Sequence, residues 1–325
     1  MRASDKLFNF VCNFYTQNYD EIFHFNITQE NLSNRKPIYI QTGREYSCRF
    51  CGRDKKSASF SKAAHAIPEF LGNKLLLSKN ECDECNTFFG NTYEDSVSKY
   101  FHLNSSITGI KGKNGIPKYK TNRIPFQIKR DPLGNTVIGL EENNPSISVW
   151  PLRQLISIRW LRQPYIPLHL HKLFAKIALS LLPDTELENF LETRYWIRKP
   201  IIDLSHTTCF NSFALKSDAL ENFQSSFVSI FKRKNENGIY PYLLFLIQHA
   251  GTVFLTYIPS RKKDSMSKNL IFYPFPIERN FVLPVILDLN KKTRERFDAG
   301  ISTIQYSDFL LAQELDKKKF LQVQY

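Results

Sequence analysis

Two cysteine pairs constrain this chain more than any other feature. Cys48-Arg49-Phe50-Cys51 is followed, after thirty residues, by Cys82-Asp83-Glu84-Cys85. Each pair offers two thiols from one tight turn. The two turns need only meet to close a tetrahedral Zn²⁺ site with sulfurs at about 2.3 Å from the metal. Such a site has no open position and is structural, stapling a segment too small to hold itself together. A disulfide framework is the competing use of six cysteines. No apolar run approaches the roughly 20 residues that span a bilayer, and Met1 to Lys6 lacks the hydrophobic core of a signal peptide. The expected location is a reducing cytoplasm, without a membrane partner, where clustered thiols ligate metal. Cys12 falls on an apolar helical stripe and is expected to be a small core residue.

Between and just after the pairs the sequence reads Ala64-His65-Ala66-Ile67-Pro68-Glu69-Phe70-Leu71-Gly72-Asn73, then Asn80 and Glu81 before the second pair, then Asn86, Phe89-Gly90 and Glu94. This arrangement resembles the HNH (ββα-metal) endonucleases. The resemblance is to a zinc-stapled branch with Ala-His-(Ile)-Ile-Pro, Leu-Gly-Asn and Cys-Asn-x-x-Phe-Gly, found in bacterial and phage-related proteins that include defence nucleases. It implies a ββα core with the family's three letters on His65, Asn80 and Asn86. By that resemblance His65 ends the first strand and is the general base. Asn80 ties down the loop between the strands. Asn86 starts the helix and ligates one divalent cation, Mg²⁺ or Mn²⁺, through its amide oxygen. The sequence departs from the family at Ala64, where many members carry Asp or His as a metal ligand. Glu94, eight residues past Asn86 on the same helix, is the candidate replacement, with Glu69 and Asp83 as weaker ones. The same residues admit a different reading: a zinc ribbon that binds DNA without cutting it, with His65, Asn80 and Asn86 as packing and turn residues.

The net charge of +13 is unevenly spread. Residues 41–104 are nearly neutral, with nine basic and eight acidic side chains, whereas 105–325 carry 31 and 19 and are +12. The stretch 111–130 holds Lys111, Lys113, Lys118, Lys120, Arg123, Lys129 and Arg130 with no acidic residue. A positive surface draws polyanions through phosphate contacts and counterion release. Lys111, Lys113, Lys118, Lys120 and Arg123 are therefore the candidate DNA-binding residues, and duplex DNA is the partner that the resemblance implies.

Elsewhere, 5–18 reads as a helix with Leu7, Phe8, Val11, Cys12 and Tyr15 on one face, and 37–40 as a strand. Residues 124–128 and 136–140 flank a turn signal and predict a hairpin. Residues 168–182 predict a helix stopped by Pro183; His169 and His171, which precede Lys172 and Lys176, are surface histidines that either face phosphate or stand structurally idle. A second helix is expected from a cap at Asp184 or Thr185 to about Tyr195. Residues 242–247 and 252–257 predict a hairpin of buried strands, and 281–287 an edge strand at Pro284. The expected fold class is α+β: residues 1–40 as an N-terminal helix and strand, 41–104 as a ββα nuclease domain with structural zinc, and 105–325 as a larger basic α+β region. That region grips DNA, senses an activating ligand or partner that releases the nuclease, or does both.

Overall fold

The computed structural model describes residues 3–27, 36–40, 45–120, 126–130, 136–141, 147–150, 155–160, 163–199, 211–216, 226–236, 238–264, 273, 275, 285–288, 300–305, 308–315 and 318–324. Helices and strands are mixed along the chain, so the class is α+β. The order is α1 (Ala3–Asn18), β1 (Tyr19–Ile27), β2 (Ile38–Ile40), β3 (Ala64–His65), β4 (Leu76–Ser78), α2 (Asp83–Phe89), α3 (Asp95–Thr108), β5 (Tyr119–Lys120), β6 (Phe126–Arg130), β7 (Thr136–Glu141), β8 (Ile147–Trp150) and β9 (Leu155–Trp160). There follow α4 (Pro167–Leu181), α5 (Asp184–Leu187), α6 (Leu191–Ile197), β10 (Asn211–Lys216), β11 (Ser226–Arg233), β12 (Leu243–His249), β13 (Thr252–Ile258), β14 (Val285–Asp288), β15 (Gly300–Gln305), β16 (Asp308–Leu315) and β17 (Lys318–Gln324).

A six-stranded antiparallel sheet, in the order β1-β11-β12-β13-β10-β14, forms the floor. Strands β12 and β13 are apolar on both faces, as the sequence predicts, and the ladder closes at His249 and Thr252. The turn is shorter than the predicted 248–251. Ala250 and Gly251, at φ of 47° and 78°, make a two-residue turn whose left-handed pair matches the strand twist. Strand β14 lies at the sheet edge. The predicted hairpin pairs β6 with β7 in the register Phe126 to Leu140, within a five-stranded sheet. Its connecting turn, and Arg123, lie outside the described residues.

Helix α4 lies on this floor. Fourteen of its fifteen residues are buried, which its nearly all-round apolar sequence dictates. Pro167 starts it, where a missing N–H costs nothing, and Pro183 follows its end. The expectation of a surface His171 is therefore corrected, and Lys172 and Lys176 are buried with it. All three are buried because helices cover the face turned away from the sheet. His171 Nε2 lies 2.9 Å from the Tyr257 carbonyl. Lys172 donates to the carbonyls of Trp196, at 3.2 Å, and Lys199. Only His169 stays half-buried, edge-on to Tyr93.

Two other expectations shift. In α1 the buried side chains are Val11, Phe14 and Tyr15, while Leu7 is 49% exposed, since only the last turns reach the core. The second helix is three short helical turns, over 184–187, 188–190 and 191–197, and Pro183 rather than Asp184 or Thr185 precedes its first residue. One buried apolar cluster joins Phe50, Phe89 and Tyr93 to Leu173 and Phe174 of α4 and to Phe245 and Phe254 of the sheet. No helix among the described residues is long and apolar enough to cross a membrane.

Candidate active site and metal knuckle

The cysteine pairs do meet. The Sγ atoms of Cys48, Cys51, Cys82 and Cys85 all lie within 4.8 Å of one another, and those of Cys51 and Cys82 are 3.7 Å apart. A tetrahedron with metal–sulfur bonds of about 2.3 Å has edges of about 3.8 Å, so the set fits Zn²⁺. The first pair sits in a turn closed by the Gly52 N–H to the Cys48 carbonyl at 2.7 Å, with Gly52 at φ +78°. The second opens α2, with Cys82 as the extended residue before the helix and Cys85 in its first turn. The helix thus begins at Asp83, not at Asn86, which lies one turn inside and is corrected accordingly. Arg53 steadies the knuckle from outside. It pairs with the Glu84 carboxylate and donates to the Cys51 sulfur at 3.4 Å. Arg49 anchors it from inside. Its guanidinium is buried and donates to the Ser180 and Leu182 carbonyls at 2.9 and 2.6 Å, where α4 presents its negative end.

Strands β3 and β4 pair antiparallel, Ala64 with Ser78 and His65 with Leu77, and β2 adds to β4 in parallel. The connection from β3 to β4 is held by Asn73, which is 1% exposed. Its amide nitrogen donates to the Ile67 and Leu76 carbonyls at 2.7 and 3.0 Å, and its oxygen accepts from the N–H groups of Leu75 and Leu76 at 3.2 and 2.9 Å. In the sequence Asn73 is visible only as the end of a Leu-Gly-Asn motif. Four backbone partners around one buried amide are a three-dimensional property with no local signature. Asn80 instead holds the other flank: its amide nitrogen donates to the Ser47 carbonyl at 3.3 Å, and its own carbonyl accepts from the Arg49 N–H at 2.9 Å. It therefore bonds the first cysteine turn.

His65 is half-buried on β3, and its Nε2 lies 4.0 Å from Glu69 Oε2. Its Nδ1 is buried and has no hydrogen-bond partner among the described residues. Burial lowers its pKa below the usual 6.5, Glu69 opposes this, and the charges of Lys176 and Lys113 lower it further. The imidazole is accordingly neutral at neutral pH. Asp83 is committed elsewhere, to the hydroxyls of Ser59 and Ser61 at 2.6 Å each and to the N–H groups of Ser61 and Lys62. It is unsuited to metal binding.

Glu94 is half-buried at the end of a π-helical turn, Gly90–Glu94, that joins α2 to α3. Burial raises its pKa, Lys176 counteracts this, and Glu69 raises it again, so Glu94 lies within electrostatic reach of both. The π turn matters geometrically. In an unbroken α-helix eight residues overshoot two turns by about 80°. A π turn absorbs about one extra residue, so by spacing alone Glu94 falls nearer the helix side of Asn86 than unbroken α geometry would put it. Among the described residues the four cysteines are the only metal-like group with ligand atoms within 4.8 Å of one another. The oxygens near His65 are more open. Half-buried carboxylates such as Glu94 and Glu69 suit a Mg²⁺-type ion, which takes one or two protein carboxylates and completes its shell with water and phosphate.

Lys111, Lys113, Lys118 and Lys120 are exposed. The turn bearing the first two is closed by reciprocal Gly112 and Gly115 hydrogen bonds of 3.0 and 3.2 Å. A Cβ on Gly112 would stand 3.3 Å from the Phe70 backbone, so glycine lets this turn press against the Glu69–Leu71 turn beside His65.

Residues 48–102 match the family model of the HNH endonucleases. No curated protein and no solved structure matched the chain. The match spans both cysteine pairs, His65, Asn73, Asn80, Asn86 and Glu94. With the four thiols drawn together behind the β3–β4 hairpin and its helix, residues 48–102 are an HNH endonuclease-type unit set in an α+β chain.

Proposed function

We propose that the chain is a metal-dependent endonuclease that hydrolyses phosphodiester bonds of duplex DNA, with Zn²⁺ in the cysteine knuckle as a structural ion. The observation that carries this reading is His65: a half-buried imidazole on the first strand of the unit, 4.0 Å from the Glu69 carboxylate and within electrostatic reach of Lys113 and Lys176, with Glu94 in reach of Glu69 and Lys176 in turn. His65 takes the proton from the attacking water, and Lys113 offers the scissile phosphate a positive charge. Asn86 and Glu94 would hold the divalent ion through oxygen. When bound, Mg²⁺ or Mn²⁺ stabilises charge on the phosphate and on the leaving 3′ oxygen. The unit itself is nearly neutral, so the grip on DNA comes from residues 105–325, first of all from Lys111, Lys113, Lys118, Lys120 and Arg123.

Nicking of supercoiled plasmid across a Mg²⁺ and Mn²⁺ titration tests this, with zinc content measured for each protein. His65→Ala should cut roughly 10²–10⁴-fold more slowly while keeping its zinc. Asn86→Ala and Glu94→Ala should raise the ion concentration needed. A parent protein that binds DNA and never cuts would make the unit a DNA-binding zinc ribbon.

A further inference from the structure

Helix α4 lies outside the matched segment, yet one of its side chains reaches into the site. Lys176 is 1% exposed. Its Nζ donates to the His65 carbonyl at 3.0 Å and lies 2.9 Å from Glu81 Oε2. Glu81 immediately precedes the second cysteine pair and is fully enclosed. Among the described residues neither of its oxygens makes a well-formed hydrogen bond, and the Lys176 ammonium is the cation that pairs with it. The ammonium also sits 5.9 and 5.8 Å from the ring centroids of Phe50 and Phe89, each inside or beside a cysteine turn.

A lysine on an otherwise apolar helix is costly to bury. An apolar side chain of similar length would pack on α4 at least as well, and replacing a whole buried ion pair by apolar groups is often neutral or stabilising. Stability alone therefore does not explain it. What an apolar side chain could not supply is the bond to the His65 carbonyl. That bond fixes the backbone of the candidate base from the side opposite β4. Ladder bonds alone hold a two-residue strand weakly, and the next one, the Ala66 N–H to the Leu76 carbonyl, is long at 3.2 Å.

We propose that Lys176 is a positioning residue for the nuclease site, holding His65 in register from α4, and that Glu81 is retained to hold the Lys176 ammonium at that carbonyl. The inference rests on the nuclease reading for its consequence in catalysis, though not for its structural part. It makes the HNH unit dependent on a helix outside its own segment.

The test uses the full-length, zinc-loaded protein and three variants. Lys176→Met leaves Glu81 uncompensated and should lower the unfolding temperature. Lys176→Met with Glu81→Gln removes both charges and should restore much of that temperature, but not the tie to His65. Lys176→Arg keeps a donor. In the double variant, backbone hydrogen exchange over 62–67 should speed up while 48–53, in the first cysteine turn, stays as protected as in the parent. Its kcat for plasmid nicking should fall roughly 10²-fold, the cost of a misplaced reacting group, with KM for DNA nearly unchanged, and Lys176→Arg should recover part of it. A double variant that regains stability, exchange protection and kcat together overturns the proposal, because Lys176 is then only a packing residue. So does unchanged exchange over 62–67 in either variant lacking Lys176. If exchange accelerates as expected while the parent protein itself never cuts, the positioning contact stands and it is the nuclease reading that fails.

Discussion

His65 is acted on by three charges that arrive from different parts of the chain: Glu69 from the turn after β3, Lys113 from the basic turn, and Lys176 from α4. Burial, the largest influence, and the two lysines all push its pKa below 6.5. The free base is then present throughout the neutral range, and the acid limb of kcat/KM for nicking should have its midpoint below pH 6.5. Lys113→Ala removes one of the depressing charges and should move that limb upward, toward 6.5. A profile that does not respond to this change would separate Lys113 from the site. Zinc content at each pH keeps loss of the knuckle from being mistaken for protonation of the base. Asn73 makes a second prediction. Asn73→Ala strands two buried carbonyls and two N–H groups, at about 1–3 kcal/mol for each group left unpaired and not taken up by water. Thermal unfolding should show a loss of at least about 2 kcal/mol, accompanied by slower nicking. His65 stands out in the sequence as a candidate because a histidine shortly before Ile-Pro, between two CxxC pairs, is a local pattern. Asn73 and Lys176 do not, because their roles lie in bonds to backbone carbonyls that no spacing encodes.

The metal knuckle and the helix behind it show where sequence patterns suffice and where they fail. Paired cysteines announce themselves because ligand spacing is a chain property, and the second pair had to sit at a helix start for both thiols to face one point. The π turn over Gly90–Glu94 carries no comparable signal. It shows only as a helix that runs continuously from Asp83 to Thr108 with one residue too many per turn at its centre. Cys82 serves both as a knuckle thiol and as the residue preceding the helix, and Cys82→Ser separates these duties. Serine is a good helix cap but a poor partner for zinc, so the helix start is preserved while one thiolate is lost. Elemental analysis should then find well under one zinc per chain. Trypsin should cut after Arg49, whose side chain is buried against the end of α4 in the intact protein. Prolonged chelation of the parent protein should expose the same bond. Resistance at Arg49 in a zinc-free protein would mean that packing on α4, not the ion, holds the first cysteine turn.

At the scale of the whole molecule, the sequence partition into an HNH segment and a basic remainder follows charge and motif, whereas the core crosses it. Phe50, Phe89, Tyr93, Val97, Tyr100 and Phe101 belong to the same buried cluster as Phe174 and Phe254. Tyr100 stacks edge-on to Phe254 at 5.4 Å, and the Tyr93 hydroxyl donates to the Ile197 carbonyl at 2.6 Å. Charge and motif can be read along a line of residues. A shared core cannot, because the apolar face of α3 looks the same whether it covers its own hairpin or a helix 70 residues later. The energetic consequence is large. Six aromatic and aliphatic side chains uncovered at roughly 1.5–3 kcal/mol each amount to roughly 9–18 kcal/mol, as much as the net stability of a typical domain. Arg49 would also lose the Ser180 carbonyl it bonds, and Glu81 the Lys176 ammonium that pairs with it. A fragment spanning residues 45–120 should therefore bind one zinc yet lack a cooperative thermal transition. It should bind a hydrophobic dye, and it should not nick plasmid under ion concentrations at which the full chain does. Addition of zinc should protect its cysteine turns without restoring slow exchange over 62–67, since the Lys176 tie is absent. A fragment that unfolds cooperatively and cuts DNA would show that the HNH unit needs neither α4 nor its lysine, and would move the whole burden of holding His65 back onto β4 and Asn73.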